Sequence, residues 1–235
     1  MNPLLKSYRL SQLKRRCRDY NLPQEIGDYL DRAAENPNRR ANWESLRFVV
    51  IDTETTGLDR RQDQLLAFGA VTVQQRRIRL AGTLELLIRA DTMGNNEQAP
   101  LHGILPQESL RGVPALAAAA KILDFIGASV LVGHHISFDV LMIEKMVSDW
   151  LPGFFLHNPR FDTARLAQRL IYPHRPADYI RPGDFALDAL IARYDLSKCD
   201  RHTAHGDAMI TAELLLHLLD EAKKRGRTRL GDICV

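Results

Sequence analysis

Four acids and one histidine carry the spacings of interest. In FVVIDTETTGLD, residues 48–59, Asp52 and Glu54 follow a run of four apolar residues and stand two apart. Residues two apart on a strand share a face, so both carboxylates would leave the end of a buried strand side by side. Such a pair repels itself unless one group is protonated or a cation lies between them, and hard divalent ions such as Mg²⁺ or Mn²⁺ prefer oxygen ligands of this kind. Solvated acids at an exposed strand end would leave the same trace in the sequence. Asp139, in VLVGHHISFDVLM, follows an apolar strand-like run and enters a helix, which brings it to the sheet edge where α/β folds bind ligands. A first-turn helix acid favoured by the helix dipole is the alternative. In RHTAHGDAMITAE, Asp207 opens an amphipathic helix and His202 precedes it by five positions. On one continuous helix the two would stand about 140° apart, so the imidazole must reach in from the preceding loop if both serve one site.

The elements that must position these groups are legible from periodicity. RFVVIDTE, LLAFGAVTVQ and RIRLAGTLELLI predict three successive strands, with residues 57–64 and the Gln-Arg-Arg region as turns. ALAAAAKILDFIG predicts a helix, SVLVGHH a buried strand, and SFDVLMIEKMVSDW a helix beginning beside it. Further helices are expected at DTARLAQRLI, ALDALIARY and DAMITAELLLHLLDEAKK, and YPHRPADYIRPGD reads as a loop. Strands followed by alternating helices argue for an α/β domain with a mixed sheet. Asp162, just before a helix in RFDTARLA, is assigned as an ordinary N-terminal cap.

Taken together, D-T-E-T-T-G after one apolar strand, H-x-x-x-F-D after another and H-x-x-x-x-D-A at the start of a late helix resemble the DnaQ-like 3′→5′ exonucleases, the histidine-bearing branch of the DEDD superfamily. The resemblance runs from Leu46 to Leu219. It implies a ribonuclease H-like fold, a mixed central sheet flanked by helices. It makes Asp52, Glu54, Asp139 and Asp207 the ligands of two divalent ions, Mg²⁺ or Mn²⁺, and His202 the general base. By the same resemblance Thr55, Thr56, Gly57 and Leu58 meet the terminal nucleotide, and His102 and Phe138 line the substrate groove. The activity implied is release of nucleoside monophosphates from nucleic-acid 3′ ends, with single-stranded DNA the favoured substrate; RNA trimming of the ribonuclease T or oligoribonuclease kind shares the motifs. Two positions depart from the common pattern: Ala67 stands where an acid is frequent, and His135 where Asn is frequent.

Composition bounds the remaining classes. With 235 residues at 45% hydrophobic, the chain can bury a sizeable core. The chain is expected to divide into a helical N-terminal extension, residues 1–45, and, by the resemblance, an exonuclease domain, residues 46–235. Leu10, Leu13, Cys17 and Tyr20 recur at helical spacing, and Pro23 can start a second helix carrying Ile26, Tyr29 and Leu30. Packing on the main domain is preferred over docking of a polymerase or other protein partner, although the spacing suits both. Residues 1–45 hold nine Lys/Arg against six Asp/Glu, so the whole formal excess of +3 lies there. A second basic run, Lys223 to Arg229, could contact phosphates or simply face solvent. The longest apolar stretch, residues 115–133, is broken by Lys121 and Asp124, and no signal-like run precedes Lys6, which predicts a cytoplasmic protein without a membrane partner. Three cysteines without metal-like spacing suit reduced thiols.

Two rival functions follow from the same residues. His134, His135 and His205 beside His202 could suggest a zinc hydrolase, which leaves Asp52 and Glu54 unexplained. A nucleic-acid-binding module without catalysis predicts a broken acid set, whereas here the set is complete.

Overall fold

β1 (Arg47–Thr55) is the middle strand of a five-stranded sheet and decides which residues face which layer. Its side chains alternate: Val49 and Ile51 enter one apolar core, Phe48 and Val50 the other. The first core lies under α1 (Pro3–Asp19), α2 (Gln24–Arg32), α4 (Ala115–Ile126) and α5 (Ser137–Ser148); α3 (Pro106–Ser109) is a single turn. The second lies under α6 (Thr163–Ile171), α7 (Leu187–Tyr194), α8 (Ala204–Lys224) and α9 (Leu230–Ile233). The computed structural model describes residues 3–90, 102–173 and 181–234.

The strand order is β3-β2-β1-β4-β5, with β2 (Leu65–Gln74), β3 (Arg77–Leu87), β4 (Val130–Gly133) and β5 (Arg160–Asp162). β1, β2 and β3 form an antiparallel meander, while β4 and β5 run parallel to β1. The β2–β3 turn places Gln75 and Arg76 at φ 53° and 58°, as a right-twisted two-residue hairpin requires. The predicted strands match β1 to β4, and the mixed α/β sheet is the one expected; β5, three residues long, was not foreseen.

α2 packs on α4 and α1 packs on α2, so both join the first core from outside that helix. Leu10, Leu13, Cys17, Ile26, Tyr29 and Leu30 are buried as their spacing predicts, but Tyr20 is 52% exposed because it lies beyond the end of α1. The Tyr29 hydroxyl donates to Asn158 Oδ1 at 2.7 Å and accepts from the His157 amide at 2.9 Å, tying α2 to the segment before β5. The segment after α2 is fixed differently, by Trp43, whose indole donates to the Arg227 carbonyl at 2.8 Å. An isolated bridge between Asn42 and Arg229 continues that contact.

Three residues of the basic run near residue 225 are engaged within the chain: Lys223 pairs with Glu44 at 2.8 Å, Lys224 with Asp220 at 2.8 Å, and Arg225 donates to the Leu170 carbonyl. Cys17, Cys199 and Cys234 are free thiols. No helix among the described residues is long and apolar enough to cross a membrane.

Candidate active site

The alternation of β1 continues past its core. Asp52 and Glu54 follow Phe48 and Val50 on the face that α8 covers, whereas Thr53 follows Val49 and Ile51 on the face that α5 covers. The acids therefore meet Asp207, in the first turn of α8, and Thr53 meets Asp139, in the first turn of α5. One carboxylate oxygen from each of Asp52, Glu54 and Asp207 lies within 4.8 Å of the other two. The Thr53 hydroxyl donates to Asp139 Oδ1 at 2.7 Å.

Two glycines allow α8 to start so close to the sheet and to its own preceding loop. Gly69 sits opposite Asp52 in the β1–β2 ladder, and a Cβ there would overlap the Ala204 carbonyl and the His205 amide. Gly206 lets the loop fold over the first turn of the helix, since a Cβ would overlap the Asp200 carbonyl. Thr203 caps α8 by accepting from the Gly206 amide at 3.0 Å. His202 stands just before that cap, on the loop, exposed and at φ 69°.

Burial at this end of the sheet, with the charges of neighbouring acids added, raises the pKa values of the four acids. Burial pushes Asp52 well above the usual carboxylate range, and the charges of Asp139, Asp207 and Glu54 add to it. Burial, then Asp207 and Asp139, pushes Glu54 up to about 7. Burial also takes Asp139 up to about 7, against the Thr53 hydrogen bond, and raises Asp207 against the opposing charge of Arg201. Four such carboxylates cannot all stay ionised without a cation. Oxygens within 4.8 Å of one another can be bridged by a hard ion whose own bonds are about 2.0–2.6 Å long, so Asp52, Glu54 and Asp207 fit a divalent metal.

A cleft of about 290 Å³ runs along this end of the sheet, lined by Asp52, Glu54, Thr55, Leu58, Phe138 and Asp139 among others. Leu58 is 70% exposed at its mouth. His102 lies instead in an adjoining cavity of about 150 Å³, with Ala67 and Thr203; Glu54 borders both spaces. Ala67 pairs with Glu54 across the ladder, so the position where an acid is frequent forms an apolar wall here. Thr56 and Gly57 belong to the turn itself. The Thr56 hydroxyl donates to Asp63 Oδ1 at 2.7 Å, the Asp59 amide donates to Asp63 Oδ2 at 2.7 Å, and a Cβ on Gly57 would collide with the Asp63 carboxylate. Lys145 braces the turn by donating to the Asp63 and Arg61 carbonyls at 2.6 and 3.1 Å. A larger cavity of about 540 Å³ lies beyond Lys145 and contains none of the four acids.

The histidines do not converge on a metal. Burial pushes His134 down to about 4, and its Nδ1 lies 2.9 Å from the Thr163 hydroxyl. His135 is exposed at φ 62°. Among the described residues, the group whose donor atoms come together consists of carboxylates alone, which removes the basis for an imidazole-rich zinc site. Asp162 caps α6, accepting from the Ala164 amide at 2.9 Å, as its position predicts.

Thr53, Gly69, Asp63 and Arg201 were not singled out from the sequence. Gly69 had a signal, since glycine inside a strand marks close approach of another backbone. Arg201 had none beyond its place next to His202; it donates to Asp207 Oδ2 and to both oxygens of Asp188.

Comparison with known proteins agrees with this architecture. Residues 49–215 match the RNase_T family model, described as exonuclease. DNA polymerase III PolC-type of Thermotoga petrophila is 29% identical over 199 residues, 82% of this chain and 13% of that one. A DNA polymerase III subunit epsilon-like protein of Rhodobacter capsulatus is 31% identical over 211 residues, 88% of this chain and 28% of that one. The chain thus spans about an eighth to about a quarter of the length of these curated relatives. Among solved structures, E. coli exonuclease I with a dT13 oligonucleotide superposes with a TM-score of 0.63 at 18% identity, covering 77% of this chain and 42% of that one. Exonuclease X with 5′-overhanging duplex DNA gives a TM-score of 0.56 at 22% identity, covering 79% and 98%. At these identities the structural likeness is one of fold.

Proposed function

Because this chain belongs to the RNase_T exonuclease family, we propose that it is a metal-dependent 3′→5′ exonuclease releasing nucleoside monophosphates from single-stranded DNA. The observation that carries the reading is the approach of Asp52, Glu54 and Asp207 within 4.8 Å, with Asp139 lining the same cleft. In this proposal the four acids hold two ions, Mg²⁺ or Mn²⁺. Bound divalent ions supply charge stabilisation to an in-line displacement and make water acidic enough to attack at neutral pH.

The protein's own groups supply the rest. His202, solvent-accessible on its loop, takes the proton of the attacking water. Thr55, in the buried wall of the cleft, and Leu58, at its mouth, receive the terminal nucleotide, Leu58 offering its exposed side chain to a base. Phe138 lines the same cleft, and His102 borders its extension past Glu54. The role of Thr56 and Gly57 is to hold the turn that presents these contacts, through Asp63.

Preference for DNA is supported by the relatives named as DNA polymerase III chains and by the oligodeoxynucleotide in the exonuclease I complex. A polymerase or other protein partner, reached through residues 1–45, belongs to the same proposal; Tyr8, 63% exposed on α1, is available for it. The deciding experiment incubates the full chain with 5′-labelled DNA and RNA oligonucleotides and Mg²⁺ or Mn²⁺. A ladder shrinking from the 3′ end on DNA, abolished by chelation, is expected. A ladder on RNA alone would reassign the substrate, and no ladder on either would overturn the enzymatic reading.

A further inference from the structure

Arg201 links three parts of the candidate site. It stands on the loop directly before His202, with its side chain 19% exposed. Nε and Nη2 form a fork on Asp188, in the first turn of α7, at 3.2 and 3.1 Å. Its remaining terminal nitrogen, Nη1, donates to Asp207 Oδ2. Asp207 Oδ1 is buried and makes no well-formed hydrogen bond, although the His202 amide lies close enough to favour the ionised carboxylate. A carboxylate with one oxygen on a guanidinium and the other buried without a well-formed hydrogen bond can exchange the first contact for a cation that satisfies both.

We infer that Arg201 competes with divalent cations for Asp207, and that its fork on Asp188 is the pivot on which it releases that acid. Arg201 is thus a positioning residue that sets metal affinity. The two contacts use different edges of the guanidinium, so giving up Asp207 leaves the bidentate pair with Asp188 intact. The charge is also retained beside the cleft, where Asp52 and Glu54 feel it as well. A merely structural clip would behave otherwise. If Arg201 only fastened the loop to α7, its removal would loosen Asp207 and weaken metal binding; a competitor, once removed, strengthens it.

The inference rests on Asp207 being a metal ligand, and the test separates the two. Mn²⁺ binding to the full chain without nucleic acid is measured by titration calorimetry and by loss of the aqueous Mn²⁺ resonance signal. Arg201→Gln is expected to bind Mn²⁺ about tenfold more tightly than wild type, as loss of a partly buried ion pair permits. Arg201→Lys, which keeps the competing charge, should stay within about threefold of wild type. Asp188→Asn removes the pivot, throws Arg201 onto Asp207 alone and should weaken binding by about threefold. Opposite shifts for Arg201→Gln and Asp188→Asn support the inference. Unchanged or weaker binding by Arg201→Gln, while Asp52→Asn loses binding, overturns it and leaves the metal site standing. Wild-type binding by both Asp52→Asn and Asp207→Asn would instead overturn the metal site. Should Arg201→Gln not fold, Arg201→Met takes its place: tighter binding supports the inference, unchanged or weaker binding overturns it.

Discussion

Thr53 and Asp139 are joined by a 2.7 Å hydrogen bond that spans 86 positions of the chain and fastens the first turn of α5 to the acid-bearing strand. The bond favours the ionised form of a carboxylate that burial drives up to about 7. Thr53→Val keeps the shape and removes the donor. Metal affinity or activity is expected to fall about 10–100-fold, the usual cost of losing such a supporting contact. Thr53→Ser should restore most of it. Initial rates measured against Mn²⁺ concentration check this, and a Val variant as fast as wild type at every concentration contradicts it.

Stability should depend on pH in an unusual direction. Glu54 and Asp139 titrate near 7 in the folded chain, above their ordinary values of 4.5 and 3.8. Between those limits the folded state binds more protons than the unfolded one, so stability falls as pH rises through 7. In chelator, the melting temperature should drop from pH 5 to pH 8, each kcal/mol counting for about 2–4 °C in a chain of this size. Mg²⁺ or Mn²⁺ should flatten the drop. A melting temperature in chelator that rises over this interval would refute the assignment of these shifts.

His202→Ala should separate chemistry from binding. The ring is exposed, so its loss should change stability by no more than about 0.5 kcal/mol. Turnover should fall by about 10²–10⁴-fold, the range for a general base, with Mn²⁺ affinity retained. Single-turnover digestion of a labelled oligonucleotide, paired with calorimetry, reads both quantities. Retention of turnover would move the base elsewhere.

Gly69 tests the positioning of Asp207 without altering any charge. Gly69→Ala would drive a methyl group into the Ala204 carbonyl. The cost should be about 1–3 kcal/mol, as for other overpacked sites, with a loss of activity because α8 must shift at its first turn. Gly183→Ala, where a Cβ meets nothing within 4 Å, is the control and should melt like wild type. Equal denaturant midpoints for the two variants would contradict the close approach of α8 to β2.

What the sequence disclosed follows from which physical signals are local. Period-two alternation gave β1 and the shared face of Asp52 and Glu54, and an Asp-Thr pair before an apolar helix gave the cap at Asp162. Helices α4 to α8 were legible because their apolar faces are long enough to show a period. β5 was not, since three residues carry no period. The split of the acids between the two faces of the sheet, Asp207 with Asp52 and Glu54 and Asp139 with Thr53, is a consequence of which helix crosses which side. Arg201 was invisible for a related reason: a lone cation in a loop has no pattern, and its partners lie on two different helices.

The scattering of the acids along the chain also bears on how the protein is made. A ribosome delivers residues 52 and 54 early and residue 207 late, and a growing chain folds from its leading end. β1 can pair at once with its hairpin neighbour β2, but its other neighbour, β4, and the helix that brings Asp207 arrive only after most of the chain has emerged. An interrupted translation product that stops before residue 207 therefore never gathers the carboxylates into one place.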